Sequence, residues 1–300
     1  MRICVTGANC FIGMPLVRKA SLLGWEIVAV VRVGNKEKDY IEQIPNTHVV
    51  ELNLEDYDQL GQYVGDVDCA VLLTWNGTRG KTRLDEDLQY SNYVNNMKAV
   101  KSLVEHGCKR IVTAGSQAEY GICNAVITEK TKCNPNTAYG KYKIKFFEEA
   151  FDYCKNNGVA IKEPRFFSLY GPNDYENTLI MSCIKKMQAN NECNMTLCTQ
   201  MWDYLFIDDA VEGVLGLCQK ECIDGAYNFG SGDCRPLKEF VLEIKDILNS
   251  KSKLNFGTVP YTDAGVVSIQ PNIDKLTDTG WKAKISFREG IKEIIKSLGE

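Results

Sequence analysis

The chain has 300 residues, 44% of them hydrophobic and 25% charged, which is typical of a globular protein with a sizeable core. Its 35 Lys and Arg residues against 39 Asp and Glu residues give a net charge of −4, so no overall basic field favours nucleic acid or an anionic lipid surface. No apolar run approaches the roughly 18 residues of a membrane span, and the strand-like start at 1–5 is not typical of a signal peptide. We therefore expect a cytoplasmic protein that binds neither nucleic acid nor membrane.

Cysteine is abundant and histidine is rare, with 13 cysteines and two histidines, His48 and His106. The cysteines are odd in number and scattered, and no Cys-x-x-Cys pair occurs among them. This pattern predicts neither a zinc site nor a disulfide framework, and two histidines leave none spare for a Ser-His-Asp triad. We expect reduced thiols that mostly act as small buried hydrophobic side chains, and no bound metal.

Strand-like apolar runs alternate with helical segments through the first half of the chain. The six runs are Ile3–Thr6, Ile27–Val31, Val49–Leu52, Cys69–Leu73, Arg110–Ala114 and Val159–Ile161. Between them, apolar residues recur at helical spacing, as at 12/16/20/23 and 93/97/100/104. Near-continuous apolar strands separated by helices predict an α/β fold with a doubly wound parallel sheet.

After about residue 166 the pattern changes. Helical stretches near 176–190, 207–220, 236–249 and 286–298 are interleaved with short strands such as 227–229. We predict a domain over 1–166 and a smaller, mixed α/β C-terminal lobe over 167–300, with some segments exchanged between the two.

The helix predicted over 139–154 has an unusually broad apolar face. Its two adjacent stripes contain Tyr139, Lys143, Phe147 and Phe151 in one, and Tyr142, Phe146, Ala150 and Cys154 in the other. Such a face is wider than a surface helix needs. Either the helix packs on the sheet and on a partner subunit, or it is buried deep within one chain.

A glycine turn follows the first strand and opens the first helix, with the sequence Val5-Thr6-Gly7-Ala8-Asn9-Cys10-Phe11-Ile12-Gly13. Gly7 allows a sharp turn and Gly13 allows the helix to approach the sheet closely. Such a turn presents backbone N–H groups to an anion, and the helix dipole adds to the attraction. It predicts a Rossmann-type dinucleotide site that includes Gly7, Asn9, Cys10, Phe11, Ile12 and Gly13.

The end of the second strand bears on the choice of cofactor. The segment 30–36 holds no acid that would accept hydrogen bonds from the ribose 2′-hydroxyl of NAD. Arg32 is placed to meet a 2′-phosphate, with Lys36 adding charge, which favours NADP(H). If Arg32 instead stacks on the adenine, NAD(H) is the cofactor.

Tyr139 and Lys143 form a Tyr-x-x-x-Lys pair, and their spacing puts both side chains on one face of the predicted helix. A free tyrosine has a pKa near ~10, so its phenolate costs roughly 4 kcal/mol at neutral pH. A lysine cation one turn away favours the charged form. Tyr139 is therefore a candidate acid–base residue.

The fifth strand runs into the segment Ser116-Gln117-Ala118-Glu119-Tyr120-Gly121. This places Ser116 at the carboxyl end of a strand, where doubly wound sheets bind ligands. In order and spacing, the glycine turn, this segment and the Tyr-x-x-x-Lys pair resemble the extended short-chain dehydrogenase/reductases, the NAD(P)-dependent NDP-sugar epimerase, dehydratase and 4-ketoreductase family. Cys10 stands where that family has its middle glycine; because cysteine is small, we expect cofactor binding to survive.

Later segments continue the resemblance. Residues 164–172 are similar to the family's Arg-x-x-Asn-Val-Tyr-Gly-Pro strand, with Ser168 in place of the Asn, and residues 202–210 are similar to its Arg-Asp-Phe-Ile segment, with Trp202 in place of the Arg. Segments 227–232 and 276–281 match later family landmarks. The resemblance thus covers nearly the whole chain.

The resemblance also implies functional assignments. It implies that 1–166 bind the dinucleotide and 167–300 bind the sugar nucleotide. Implied catalytic residues are Ser116, Tyr139, Lys143 and Asn92. Implied cofactor contacts include Asn53, where the family commonly has an adenine-contacting Asp, together with Leu54, Leu73, Tyr139 and Lys143. Candidate substrate-binding residues are Gln117, Ser168, Trp202 and Asp203. The family's habit of pairing helices predicts a homodimer.

Members of this family share a hydride step at C4 of the sugar, in which Tyr139 would exchange the hydroxyl proton and Ser116 would hold the oxygen. Dehydratases carry Asp-Glu after the Ser or Thr, whereas this chain has Gln117-Ala118, so dehydration is disfavoured. We predict NADPH-dependent reduction of a 4-keto-6-deoxy sugar nucleotide. A 4-epimerase with tightly bound NAD is the alternative, and a non-catalytic cofactor sensor is disfavoured because Tyr139 and Lys143 are both present. The nucleotide base and product stereochemistry depend on segments near 168–203 and 256–271, which have no simple code.

Overall fold

The computed structural model describes residues 1–261 and 266–299, so residues 262–265 of the segment 256–271 lie outside the described residues. The chain divides into two compact units. The first contains Met1–Ile122, Thr131–Phe166 and Val211–Asn228, and the second Cys123–Lys130, Phe167–Ala210 and the described part of Phe229–Glu300. Within these described ranges, no helix has the length and apolar character that a membrane crossing requires.

The secondary structure alternates between strands and helices along the chain. The strands are β1 (Arg2–Thr6), β2 (Glu26–Val31), β3 (Thr47–Glu51), β4 (Cys69–Leu72), β5 (Arg110–Thr113), β6 (Gly115–Ser116), β7 (Val126–Ile127), β8 (Ala160–Phe166), β9 (Ser168–Tyr170), β10 (Cys193–Met195), β11 (Met201–Trp202), β12 (Tyr204–Phe206), β13 (Gly225–Phe229), β14 (Arg235–Pro236), β15 (Leu254–Phe256) and β16 (Gln270–Pro271). The helices are α1 (Gly13–Leu22), α2 (Lys38–Glu42), α3 (Leu60–Val64), α4 (Glu86–Glu105), α5 (Ala138–Asn156), α6 (Leu179–Gln188), α7 (Ile207–Gln219), α8 (Leu237–Ile247), α9 (Asp274–Thr277) and α10 (Phe287–Gly299).

A large sheet forms the centre of the first unit, in the order β13-β8-β5-β4-β1-β2-β3, with β6 paired to β8. The pairs from β8 to β3 are parallel, and the strands are almost fully buried. The chain order reverses between β1 and β4, because β2 and β3 lie on one side and β5 and β8 on the other. In open α/β sheets, ligands bind outside the carboxyl ends of the strands at this switch point. The predicted fold class is confirmed.

The sixth predicted strand is longer than expected. It covers Ala160–Phe166 instead of 159–161. The part beyond residue 161 contains the charged residues Lys162, Glu163 and Arg165, all of which are buried. Lys162 is neutralised by Asp224, whose carboxylate lies 3.1 Å from the ammonium. The apolar pattern in the sequence stops at these charged residues, so it predicts a strand that ends too early.

Helix α5 is covered largely from within the chain. Phe146, Ala150 and Cys154 are buried in the main core, and the half-buried Tyr142 stacks on Tyr93 of α4 with ring centroids 6.1 Å apart.

Eight of the 13 cysteines are buried.

The second unit is built from small two-stranded sheets and an aromatic core. β9 pairs with β12, β10 with β15 and β7 with β16 in parallel, and β11 pairs with β14 antiparallel. Tyr170, Phe206, Phe240 and Phe287 form the core, with the Phe240 and Phe287 rings 4.7 Å apart. This packing orders the short strands that carry Ser168 and Trp202.

Candidate active site

A cavity of about 300 Å³ opens at the switch point of the large sheet, beside the carboxyl ends of β1, β2 and β4. Six residues expected at the cofactor line it, namely Gly7, Asn9, Cys10, Arg32, Leu54 and Leu73. It is also lined by Val30, Asn35, Leu52, Glu55, Tyr57, Thr74, Trp75 and Asn76. The cavity lining does not include Phe11, Ile12, Gly13, Lys36 or Asn53. Asn35 and Leu54, the neighbours of the last two, border it instead.

The glycine turn is held by backbone geometry that other residues would disturb. Gly7 has φ +66°, and a Cβ there would lie 3.2 Å from Oγ1 of Thr74. A Cβ at Gly13 would overlap the carbonyl oxygen of Gly7 and lie 2.9 Å from Cα of Ala8. Both glycines are therefore required for the path of the chain from β1 into α1.

Cys10 fits the turn and uses its sulfur within it. Its Sγ accepts a hydrogen bond from the Gly13 N–H at 3.2 Å, and its own N–H donates to the Gly7 carbonyl at 2.9 Å. Burial raises the pKa of the thiol, so the side chain is neutral at physiological pH. The cysteine therefore partners one donor at the helix start that would otherwise be unpaired there.

The loop after β2 places a cation at the cavity. Arg32 is exposed and lines the cavity, and the structure records no carboxylate paired with it in the described part of the chain. Lys38 instead pairs with Glu51 at 2.7 Å, and Glu51 also accepts the Gly34 N–H at 2.8 Å. Glu51, at the end of β3, fixes this loop and was not expected from the sequence.

Tyr139, Ser116 and Lys143 lie together in the first unit. Burial raises the pKa of Tyr139 to about 12, and hydrogen bonding by the Ser116 hydroxyl lowers that pKa by less than burial raises it. Lys143 Nζ donates to the carbonyl of Ala114 at 2.7 Å and lies 3.9 Å from the centroid of the Trp75 ring. Burial lowers the pKa of Lys143 to about 8.

Ser116 opens a tight turn that its neighbours fix. Its Oγ accepts the Ala118 N–H at 3.2 Å, and Oε1 of Glu119 accepts the Ser116 N–H at 2.7 Å. Gln117 lies half-buried in the same turn. This reciprocal pairing is a capping box, which orients the serine backbone.

Behind this turn lies a buried acid pair that sequence reasoning missed. Nε of Arg165 lies 2.8 Å from Oε2 of Glu119 and 2.8 Å from Oε2 of Glu163. Burial raises the pKa of both carboxyl groups, well above the ordinary range for Glu163. The charged residues inside an otherwise apolar strand were the available signal for it.

Asn92 lies on α4 and supports the loop after β4. Its Oδ1 accepts the Asn76 N–H and its Nδ2 donates to the Asn76 carbonyl, both at 2.9 Å. In the same loop, Nε1 of Trp75 donates to Gln89 at 2.7 Å, and the Trp75 ring meets Tyr139 edge-on at 6.3 Å. Trp75 therefore contacts Tyr139 directly, and the sequence did not predict this contact.

The other substrate-binding candidates belong to the second unit. Ser168 begins β9, and Trp202 lies opposite Arg235 in the β11–β14 pair. Nε1 of Trp202 is buried without a hydrogen-bond partner in the described residues. Asp203 is buried, and its oxygens accept the N–H groups of residues 231 and 232 at 2.7 and 2.9 Å. Its carboxylate therefore holds that loop.

Fold and cavity define a Rossmann-type nucleotide-binding protein with a Ser, Tyr and Lys cluster. The chain belongs to the NAD dependent epimerase/dehydratase family, whose model matches residues 3–230. It is 26% identical to the CDP-abequose synthase of Salmonella muenchen, covering 98% of this chain and 97% of that one. It is 25% identical to the dTDP-4-dehydro-6-deoxyglucose reductase of Escherichia coli, over 73% and 70% of the two chains.

Among solved structures, the UDP-glucose 4-epimerase of Thermotoga maritima has the same fold, with a TM-score of 0.87 at 18% identity over 100% of this chain and 99% of that one. The expected family, and with it the expectation of an NAD(P)-dependent enzyme, is confirmed.

Proposed function

We propose that the protein reduces the 4-keto group of a nucleotide-activated 6-deoxy sugar, with NADPH as the reductant, in the cytoplasm. The observation that carries the proposal is the burial of Tyr139, which is 7% exposed; burial raises the pKa of its hydroxyl to about 12. In a ketone reduction the tyrosine donates a proton to the substrate, so it must start in the protonated form, and burial favours that form. A 4-epimerase must first remove a proton from the C4 hydroxyl, which requires the costlier phenolate.

The residues of the first unit fit a bound dinucleotide. The turn at Gly7 has a positive φ and would hold a Cβ only 3.2 Å from Oγ1 of Thr74, Arg32 supplies a cation at the cavity, and Cys10 fits beside the helix start. The bound cofactor supplies the hydride. We propose that Gly7, Asn9, Cys10, Leu54 and Leu73 hold it, with Arg32 meeting a 2′-phosphate.

The Ser116 hydroxyl and Tyr139 define the acid–base pair of this mechanism. Ser116 hydrogen-bonds the ketone oxygen, and the Tyr139 hydroxyl transfers its proton to that oxygen as negative charge develops there. Lys143, whose ammonium is fixed by the Ala114 carbonyl, positions the nicotinamide ribose and contributes positive charge. The substrate's nucleotide part is assigned to the second unit, with Ser168 and Trp202 as contacts and Asp203 as support.

Names of relatives add support from outside the site. The Salmonella and Escherichia proteins are named as a CDP-sugar synthase and a dTDP-4-keto-sugar reductase. A 4-epimerase that retains NAD is the second candidate. The observation that favours it is that Lys36 does not line the cavity, so a 2′-phosphate would rely on Arg32 alone.

The first experiment is to denature the purified protein and identify any released nucleotide. Retained NAD would support the epimerase, and exchangeable NADP(H) or an empty site would support the reductase. NADPH oxidation with 4-keto-6-deoxy sugar nucleotides then tests turnover. Tyr139→Phe should lower turnover by about two orders of magnitude or more. Tyr142→Phe, on the same helix but half-buried against α4, is the matched control and should retain activity.

We also propose a homodimer that uses the outer surface of α4 and α5. Tyr90 of α4 is 51% exposed, and its ring lies 5.7 Å from that of Tyr142. Light scattering coupled to size-exclusion chromatography would give the mass directly. A monomer at micromolar concentration would count against this pairing.

A further inference from the structure

Arg83 lies against the tyrosine of the proposed acid–base pair. It belongs to the 3-10 turn Gly80–Leu84 between β4 and α4, and its guanidinium carbon is 5.0 Å from the centroid of the Tyr139 ring. This distance is within the range of a cation–π contact. No feature of the sequence pointed to Arg83.

The arginine has not been matched with an acid. Its Nε is buried and has no hydrogen-bond partner in the described residues, and no carboxylate there is recorded in an ion pair with it. The neighbouring cations differ, since Lys141 pairs with Glu86 at 3.1 Å and Arg165 with Glu163 at 2.8 Å. A partly buried cation without an anion costs stability and is typical of a site where negative charge forms during function.

Other charges near Tyr139 act in both directions. Glu119 and Glu163 raise its pKa, whereas Arg83 and the Ser116 hydrogen bond lower it. Lys143 Nζ lies 5.9 Å from the Tyr139 ring centroid. Because burial lowers the pKa of Lys143 to about 8, its charge fades above that pH, while an arginine stays charged.

We propose that Arg83 stabilises the phenolate of Tyr139 that forms when its proton passes to the substrate oxygen. This inference rests on the proposed function. In the step, the Tyr139 O–H bond breaks and an O–H bond forms on the C4 oxygen, which takes the electron pair of the C4 carbonyl π bond. The reduced nicotinamide, when bound, would supply the hydride for the new C–H bond at C4 by losing one of its own C–H bonds. The electron pair of the broken O–H bond remains on Tyr139, whose ring centroid lies 5.0 Å from the guanidinium carbon of Arg83.

A substrate-free titration tests the proposal directly. A fluorinated tyrosine of near-neutral pKa is incorporated at position 139, and its phenolate absorbance is followed against pH. Arg83→Gln should raise the pKa of that residue by about one unit, a tenfold change in its acid constant. Arg83→Lys should restore most of the shift. Lys81→Gln removes the same charge from the same turn without the ring contact, and should leave the titration unchanged.

Turnover supplies the second measurement. Arg83→Gln should lower kcat by about tenfold or more while KM stays within about twofold, and the loss should grow above pH 8, where Lys143 loses its proton. A titration that does not move, or a loss confined to KM, would overturn the proposal. If no sugar nucleotide is turned over, the proposed function fails, and the titration still decides the effect of Arg83 on Tyr139.

Discussion

Replacing Lys143 by methionine should stabilise the protein at neutral pH while it removes turnover. The lysine side chain is 3% exposed, and its ammonium has one hydrogen bond, to the carbonyl of Ala114. Methionine has a similar length and no charge, so it fills the same space without the cost of burying an ion. The prediction thus separates what Lys143 contributes to catalysis from what it costs the fold.

The magnitude follows from the pKa of Lys143, which burial lowers from 10.5 to about 8. Each unit corresponds to about 1.4 kcal/mol, so the buried charge costs roughly 3 kcal/mol at pH 7. Losing the hydrogen bond to Ala114 offsets about 1 kcal/mol of the stability gained by removing the buried charge. We expect Lys143→Met to raise the free energy of unfolding by about 2 kcal/mol at pH 7.

The pH dependence has a definite sign. Because the folded-state pKa of Lys143 is lower than the unfolded one, the unfolded chain binds more protons between about pH 8 and 10.5. The stability of the native protein therefore rises through that range, and the penalty is fully present only below it. The advantage of Lys143→Met should accordingly shrink from pH 8, vanish at about pH 10 and reverse above it, because the loss of the hydrogen bond to Ala114 remains.

Urea unfolding at pH 7 and at pH 10 measures both effects. Lys141→Met is the matched control, because Lys141 is exposed on the same helix and forms a surface pair with Glu86. Its effect should stay within about 0.5 kcal/mol. A Lys143→Met variant that is less stable at pH 7, or equally shifted at both pH values, would refute the reasoning. The contacts with Ala114 and Trp75 would then outweigh the burial of charge.

Four other substitutions test the glycine turn and the loop that Asp203 holds, with Gly216→Ala as the control for Gly13→Ala. Gly13→Ala should cost about 3 kcal/mol and abolish dinucleotide binding because its Cβ overlaps the Gly7 carbonyl, whereas Gly216→Ala on α7, with open space around it, should gain about 1 kcal/mol; urea unfolding compares them. Cys10→Gly should change dinucleotide affinity by less than about tenfold in a fluorescence titration, and binding gained only in the variant would show that the sulfur blocks the site. Asp203→Ala should lower the free energy of unfolding by about 2–4 kcal/mol in urea, since the N–H groups of Ser231 and Gly232 lose the buried carboxylate that accepts from them.

The parts of the fold that depend on local pattern could be predicted from the sequence. Strands β1 to β5 each contain a run of buried apolar residues, and the turn at Gly7 and Gly13 follows from steric limits that act within a few residues. The strand predicted for β8 was too short because Glu163 and Arg165 are charged, and charged residues are usually exposed, whereas both are buried here. Only pairing across the sheet explains why such charges are tolerated there.

The candidate site was predictable only in part, for a related reason. Ser116, Tyr139 and Lys143 belong to segments whose spacing is recognisable. Arg83 and Trp75 reach Tyr139 because of the path of the loop between β4 and α4, which no periodicity encodes. Their contribution to the site therefore depends on coordinates and not on a motif.

The buried acid pair completes the electrostatic account of Tyr139. Burial and the charge of Glu119 raise the pKa of Glu163 well above its ordinary range. Arg165 pairs with both carboxylates, whose negative charge also raises the pKa of Lys143 and so opposes the effect of burial there. Burial and the same two carboxylates raise the pKa of Tyr139 and favour its protonated form, whereas the guanidinium of Arg83 lowers that pKa. The acid pair therefore helps to keep the proton on Tyr139 before transfer, and Arg83 is the charge that favours its release.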